Sequence, residues 1–286
     1  MISTPTMTPS LTARRVAERR AAHQFLDVPV VLNDPLALRI VGATRPEERA
    51  RLSTREQGRL ARTLRAFMAA RARVAEDEVG RLAAAGAPAQ YVILGAGLDT
   101  FAYRNPYRGR VHVFEVDQES TQQWKHERLE AAGIAPGAHV TFVTVDFESA
   151  SPLDALRASG WDPSTRSIFA WLGVTMYLQR QTVVRLLAEL GRQTPGSVVI
   201  FDYAMAPTLL GPIERLVFDE FAKRVAAAGE PWVSSFAPDE LRDLLLVSGF
   251  SQIDDLGPSE LNDRYFRDRP DGMRVGTLAH VITATV

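Results

Sequence analysis

From Gln90 to Thr100 the chain reads Gln-Tyr-Val-Ile-Leu-Gly-Ala-Gly-Leu-Asp-Thr, and from Val111 to Asp117 it reads Val-His-Val-Phe-Glu-Val-Asp. A short apolar run such as Tyr91–Leu94, closed by glycines at 95 and 97, is a buried strand entering a tight turn. Glycine lets the backbone at such a turn come close to a ligand. The second run ends on Glu115 and Asp117, so a carboxylate stands about 20 residues beyond the turn, where it can grip the diol of a ribose. This is the plan of a nucleotide-binding α/β unit, and it commits the chain to a sheet with helical crossovers.

Two departures narrow the ligand. A dinucleotide fingerprint places a third glycine where this chain has Thr100, and the acidic strand end is the doublet Glu115 and Asp117. Both features suit S-adenosyl-L-methionine better than NAD. Its adenosine needs a ribose clamp, and no pyrophosphate has to rest on a helix N-terminus.

Residues 10–85 contain no convincing strand. Leu11–Leu26 reads as one helix, Asn33-Asp34-Pro35 starts a short second one, and Arg55–Ala85 reads as a long third that ends at Gly86-Ala87-Pro88. The residues from Ser3 to Thr12 are a polar, frayed start. Apolar strands follow at 91–94, 111–116, 139–143, 167–172, 197–203, about 249–254 and about 276–284. Helices lie between them at 119–132, 151–159, 180–193 and 237–248. Strands alternating with helices imply parallel crossovers and helices on both faces of the sheet. Residues 205–236 interrupt that alternation and read as a helical insert. The expected architecture is a single α/β domain over 1–286. It has a Rossmann-like sheet of about seven strands, a helical N-terminal cap or lid over 1–88, and a core over 89–286 that carries the lid insert.

Ligands of a doubly wound sheet lie at the carboxyl ends of its strands, which sets the candidate site. Gly95, Ala96, Gly97 and Asp99 follow the first strand, Glu115 and Asp117 close the second, Asp146 and Phe147 follow the third, Tyr177 the fourth, and Asp202 the fifth. Asp117 is the ribose ligand by this reading. Asp146 would accept the adenine amino group, or else cap the helix at 151, and Phe147 would stack on the ring. Glu115 would buttress the glycine turn, and Asp202 would face substrate or simply end its strand. Arg71 shares a helix face with Phe67 and Val74 and should pack on the sheet, where a guanidinium must find a carboxylate. An internal acid such as Asp99 would be the alternative partner to a ligand.

Composition excludes several classes. The formal charge of −1 draws the chain to neither nucleic acid nor anionic membrane, and no apolar run is long enough to span a bilayer. With no cysteine there is no thiolate chemistry or thiolate metal site, and the five histidines lack ligand spacing, so no metal is expected. The two lysines, Lys125 and Lys223, fall in helices that read as surface helices. Arg14, Arg15, Arg19 and Arg20 read as a solvated helix face or, alternatively, as cations for an anionic substrate. A cytoplasmic location is the default, and a homodimer is left open.

The order Ala70-Arg71-Ala72-Arg73, Leu94–Thr100 with Tyr103-Arg104, Phe114–Asp117, Val145-Asp146-Phe147, Leu172–Leu178 and Phe201-Asp202-Tyr203 resembles the leucine carboxyl methyltransferase superfamily. It looks closest to the bacterial branch of S-adenosylmethionine-dependent methyltransferases, and the likeness covers nearly the whole chain. The resemblance implies that Arg71 meets the carboxylate of the cofactor's methionine, Gly95 and Gly97 line that moiety, Asp117 holds the ribose, and Asp146 and Phe147 frame the adenine. One departure is Leu172, where the family usually carries an acid. The resemblance leaves the acceptor open: a small molecule such as a natural-product intermediate, methylated on a carboxylate or a hydroxyl. A carboxylate needs no general base, whereas a hydroxyl needs one, for which His23, Asp202 and Tyr177 are the candidates. Alternatives are a NAD(P)-dependent oxidoreductase and a non-catalytic homologue that keeps the cofactor pocket.

Overall fold

The computed structural model describes residues 10–86 and 89–286. Most of the polar start at Ser3–Thr12, and the helix end at Ala87 and Pro88, lie outside the described residues. The cap comprises α1 (Leu11–Leu26), α2 (Ala37–Ile40), α3 (Pro46–Glu56) and α4 (Arg59–Ala84). Ser10 caps α1 by accepting the Ala13 amide at 3.0 Å. The helix expected from Arg55 is two helices, broken at Gln57 and Gly58. α3 had no apolar stripe to announce it; its signals are Pro46 in the first turn and Glu48, whose carboxylate reaches back to the Arg45 amide at 3.0 Å.

The chain then alternates through β1 (Ala89–Leu94), α5 (Phe101–Arg104), β2 (Val111–Asp117), α6 (Glu119–Ala131), β3 (Val140–Thr144), α7 (Pro152–Ala158), β4 (Ser167–Trp171), α8 (Arg180–Leu190) and β5 (Val198–Ala204). After the insert helix α9 (Pro212–Ala226) come α10 (Pro238–Ser248), β6 (Gln252–Leu256), α11 (Pro258–Tyr265) and β7 (Ala279–Thr285). The seven strands form one sheet in the order β3-β2-β1-β4-β5-β7-β6. β1 to β5 are parallel, but β7 runs antiparallel to both β5 and β6, so the sheet is mixed and the expectation of parallel crossovers throughout fails at its last strand. α11 was also unforeseen; most of its eight residues are polar.

Alternate residues of the central strands feed two cores. Tyr91, Ile93 and Val113 pack with Val74, Val79 and Leu82 of α4 on one face, and Val92, Leu94, Phe114 and Val116 pack with Leu186 and Leu187 of α8 on the other. Both faces are apolar, so β1 is buried along its whole length. Each such Val, Leu or Ile contributes about 1.5–3 kcal/mol when fully removed from water. The strand order reverses between β1 and β4, which opens the crevice at their carboxyl ends.

Two expectations about charge are corrected here. Lys125 is 1% exposed, and its ammonium lies 2.7 Å from Glu115. Of the α1 arginines, Arg14 and Arg15 are exposed, but Arg20 is buried with Asp34 and Asp99 as partners. A long side chain on a polar-looking helix is drawn inward when an acid waits beneath it. No helix among the described residues is long and apolar enough to cross a membrane.

Candidate active site

The glycine turn is held from below by β2. The Gly95 and Ala96 amides both donate to the Val116 carbonyl, at 2.8 and 3.0 Å, and the Gly97 amide donates to the Asp117 carboxylate at 2.6 Å. Gly95 has φ +76°, and a Cβ there would stand 2.3 Å from Val174, so no side chain fits. The second oxygen of Asp117 accepts the Gln118 amide at 2.8 Å. Burial raises the pKa of this carboxylate against the pull of those two amides.

Around the turn, the cap contributes a buried ionic cluster. Arg20 donates to Asp99 through one nitrogen and to Asp34 at 2.8 Å through the other. The Thr100 hydroxyl reaches Asp34 at 2.7 Å, so the position a dinucleotide fold gives to glycine here ties loop to cap. Asp99 also accepts the Phe101 amide at 2.7 Å, where α5 begins. Burial alone would raise the Asp99 pKa, but Arg20 and then Arg104 outweigh it and hold it at about 2.

A cavity of about 500 Å³ opens beside this turn. Of the sequence-nominated residues, Gly95, Ala96, Gly97, Asp99, Asp117, Phe147, Arg71 and Tyr177 line it. Thr12, Ala13 and Val16 of α1 form one wall, and Gly229, Glu230 and Pro231 of the insert form another. Cap and insert meet there, the Thr12 amide donating to Glu230 at 2.9 Å.

Of the other four nominated residues, Asp202 lines a neighbouring cavity and three stand elsewhere. Asp146 is exposed and accepts the Glu148 amide at 3.0 Å in a local turn, while Ser151 caps α7. Glu115 is wholly buried between Lys125 and the Tyr103 hydroxyl, the latter at 2.8 Å, so it anchors α5 and α6 rather than the glycine turn. His23 is also buried: its Nδ1 lies 3.0 Å from Asp27 and its Nε2 accepts the Val31 amide at 2.9 Å, pinning the loop after α1.

Arg71 is 5% exposed, and its carboxylate partner is Asp202 of β5, at 2.7 Å from Nη1, not Asp99. The other oxygen of Asp202 accepts the Gly173 amide at 2.5 Å. Gly173 has φ +75°, and a Cβ there would lie 2.6 Å from Arg71 Nη2, so the guanidinium rests flat against bare backbone. Leu172, in the family's acidic position, lines the cavity, and Asp202 places its charge two strands from the turn instead.

Arg71, Gly173 and Tyr177 also line a second cavity of about 380 Å³, together with Asp202, Phe67, Met176 and Trp232. The two spaces therefore share a wall. Burial pushes the Tyr177 phenol up, and the Thr12 hydroxyl and Trp232 indole beside it are buried without a well-formed hydrogen-bond partner. Thr12, Trp232 and Glu230 escaped sequence reasoning because each lies in the cap or the insert, far along the chain from the glycine turn.

Residues 13–191 match the family described as leucine carboxyl methyltransferase. The chain belongs to that family. A Bacillus subtilis protein named "Putative S-adenosyl-L-methionine-dependent methyltransferase YktD" is 38% identical over 199 residues, 68% of this chain. The matched segment spans 64% of that relative's own length. A similarly named Mycobacteroides abscessus protein is 33% identical over 206 residues, covering 72% of this chain and 67% of its own. Among solved structures, a Thermobifida fusca protein titled "putative methyltransferase" superposes with a TM-score of 0.59 at 18% identity, covering 97% of this chain and 95% of that one. A Streptomyces avermitilis duf574 family protein superposes with a TM-score of 0.55 at 16% identity, covering 97% of each chain. The fold is that of class I methyltransferases, with the glycine turn and the strand-end carboxylate of Asp117 at its switch point.

Proposed function

We propose that this leucine carboxyl methyltransferase family member is an S-adenosyl-L-methionine-dependent O-methyltransferase acting on a small molecule. The observation that carries the reading is the pair of cavities meeting at Arg71, Gly173 and Tyr177. The first suits the cofactor: a glycine turn whose Gly95 admits no Cβ, the strand-end carboxylate of Asp117 in the lining, and a buried arginine. The second suits an acceptor, since its wall is shared with the first and its lining is largely apolar.

S-adenosylmethionine, when bound, supplies a methyl group on a sulfonium that is already a good leaving group. What remains for the chain is alignment, from which roughly 7–11 kcal/mol of a barrier is available. Asp117 would accept the ribose hydroxyls, Phe147 would cover the base, and Arg71, held by Asp202, would offer its remaining N–H groups to the methionine carboxylate. Cap and insert, joined by Thr12 and Glu230, would keep bulk water from the transfer.

The groups at the junction favour a carboxylate acceptor over a hydroxyl. Tyr177, with its pKa raised by burial, keeps its proton; Asp202 is engaged by Arg71 and Gly173; and His23 lines neither cavity. None of the three is a free base, and a carboxylate nucleophile requires none. Calorimetry with S-adenosylhomocysteine and with NAD tests the cofactor assignment. Heat with the first alone is expected; tight NAD binding with none for S-adenosylhomocysteine would restore the oxidoreductase alternative.

A further inference from the structure

The second cavity holds an ion pair that does not close. Arg19 Nε stands 3.8 Å from one oxygen of Glu56, beyond hydrogen-bonding reach, and has no partner. The other oxygen of Glu56 is likewise buried and unpartnered, with Arg65 the nearest cation at 3.9 Å. Glu56 is 6% exposed. Burial works against both charges: it lowers the pKa of Arg19 and raises that of Glu56. A buried donor and a buried acceptor of one loose pair each forgo a hydrogen bond, at a cost that a ligand group satisfying both would remove.

Both residues line the second cavity and neither lines the first, so they stand away from the wall where transfer would occur. Leu60, Leu64, Phe67 and Phe221 line the cavity with them, and of its other arginines Arg55 is paired with Glu18, Arg71 with Asp202 and Arg224 with Glu220, while Arg15 is exposed. A hydrocarbon ligand would leave the two open atoms unsatisfied. A carboxylate would meet Arg19 but would also stand against the Glu56 charge. A neutral hydroxyl fits both: its oxygen accepts from Arg19 Nε–H and its proton is donated to Glu56.

We propose that Arg19 and Glu56 are specificity-determining residues that read a hydroxyl on an otherwise apolar acceptor, remote from the group that is methylated. The inference rests on the assignment of the second cavity to the acceptor. It adds that the acceptor is bifunctional, with one polar end at the junction and one neutral polar end at this pair.

Three matched probes test it on the full chain saturated with S-adenosylhomocysteine: biphenyl-4-carboxylic acid, its 4′-hydroxy derivative and biphenyl-4,4′-dicarboxylic acid. The hydroxy acid should bind at least tenfold more tightly than either of the others. Arg19→Met should erase its advantage over the parent acid while leaving the parent's affinity within a factor of about two. Glu56→Gln should relax the rejection of the diacid. Equal binding of the three probes, or no binding of any, overturns the inference, as does an Arg19→Met protein that still prefers the hydroxy acid. Failure of S-adenosylhomocysteine itself to bind would count against the methyltransferase reading, so the two failures are distinct. If Arg19→Met does not fold, the wild-type ranking together with Glu56→Gln decides.

Discussion

Replacing Asp202 with asparagine should destabilise the empty protein and tighten its grip on S-adenosylhomocysteine. Asparagine has the same shape and can still accept the Gly173 amide, which Asp202 now takes at 2.5 Å. What it removes is the countercharge 2.7 Å from Arg71, a guanidinium only 5% exposed. Breaking a buried pair from one side costs about 3–5 kcal/mol, and the retained amide bond places this case near 3 kcal/mol. For a chain of this size each kcal/mol moves the melting temperature by roughly 2–4 °C, so a fall of about 6–12 °C is expected. With Asp202 gone, the carboxylate of the ligand's amino-acid end becomes the only counterion on offer to Arg71. Binding should then strengthen about tenfold, worth about 1.4 kcal/mol, and saturating ligand should recover about that much of the lost stability. Differential scanning fluorimetry with and without ligand, paired with calorimetry, reads both quantities. Arg71→Lys is the opposite control: it keeps a charge for Asp202 but loses the planar fork, and should weaken binding at least tenfold. If Asp202→Asn melts early by the same margin with and without ligand, and its affinity is unchanged or weaker, then Arg71 does not meet the ligand and the pair is purely structural.

Asp117→Ala should cost about 2–3 kcal/mol of S-adenosylhomocysteine affinity, since a charged acceptor for two hydroxyls is lost; calorimetry on a folded variant showing no loss would remove Asp117 from the ribose site. Glu230→Ala releases the Thr12 amide, now bound at 2.9 Å, and should cost about 1 kcal/mol or less of stability while raising hydrogen exchange across 205–236; unchanged exchange would show that the clasp does not hold the insert down. Asp99 makes stability depend on acid: its folded pKa of about 2 lies below the ordinary aspartate value, so its contribution is complete above pH ~4 and is lost as pH falls toward ~2. Urea titrations at pH 5, 4 and 3 should show wild type losing roughly 1–2 kcal/mol more than Asp99→Asn over that interval, and parallel curves would refute the Arg20–Asp99 assignment.

How much of this could be read in advance depends on how local the signal is. β1 and its turn were legible because four consecutive apolar residues and two glycines carry the whole message, and Asp117 because it closes an equally apolar strand. The helices from α6 to α8 were legible from the breakers around them, and α8 from its apolar periodicity as well. α3 was not, because its sequence is almost entirely polar and its start is marked only by Pro46 and Glu48. Arg71 was recognised as needing a partner, but Asp202 lies 131 residues away, and only the sheet order brings β5 beneath α4. The same distance hid the burial of Lys125: α6 has no apolar face to predict which side turns inward, and the acid that draws the lysine in sits on β2. Arg19 and Glu56 look like ordinary surface charges on polar helices, and that Arg19 Nε and one oxygen of Glu56 lack hydrogen-bond partners is visible only in three dimensions.

The place of β7 in the sheet has a consequence for how the chain can fold. β5 and β6 do not pair with each other; each pairs with β7, which follows both in the sequence. During synthesis β1 to β5 can assemble as a parallel unit, but β6 has nothing to pair with until residue 285 has emerged, and the open edge of β5 waits with it. That exposed edge is the point at which a nascent or truncated chain would recruit a foreign strand. In the connection between β6 and β7, insertions should be tolerated only at its exposed residues such as Arg267 and Asp268, because Leu261, Phe266 and Met273 on either side are buried. A single proline within 280–284 would break two ladders at once.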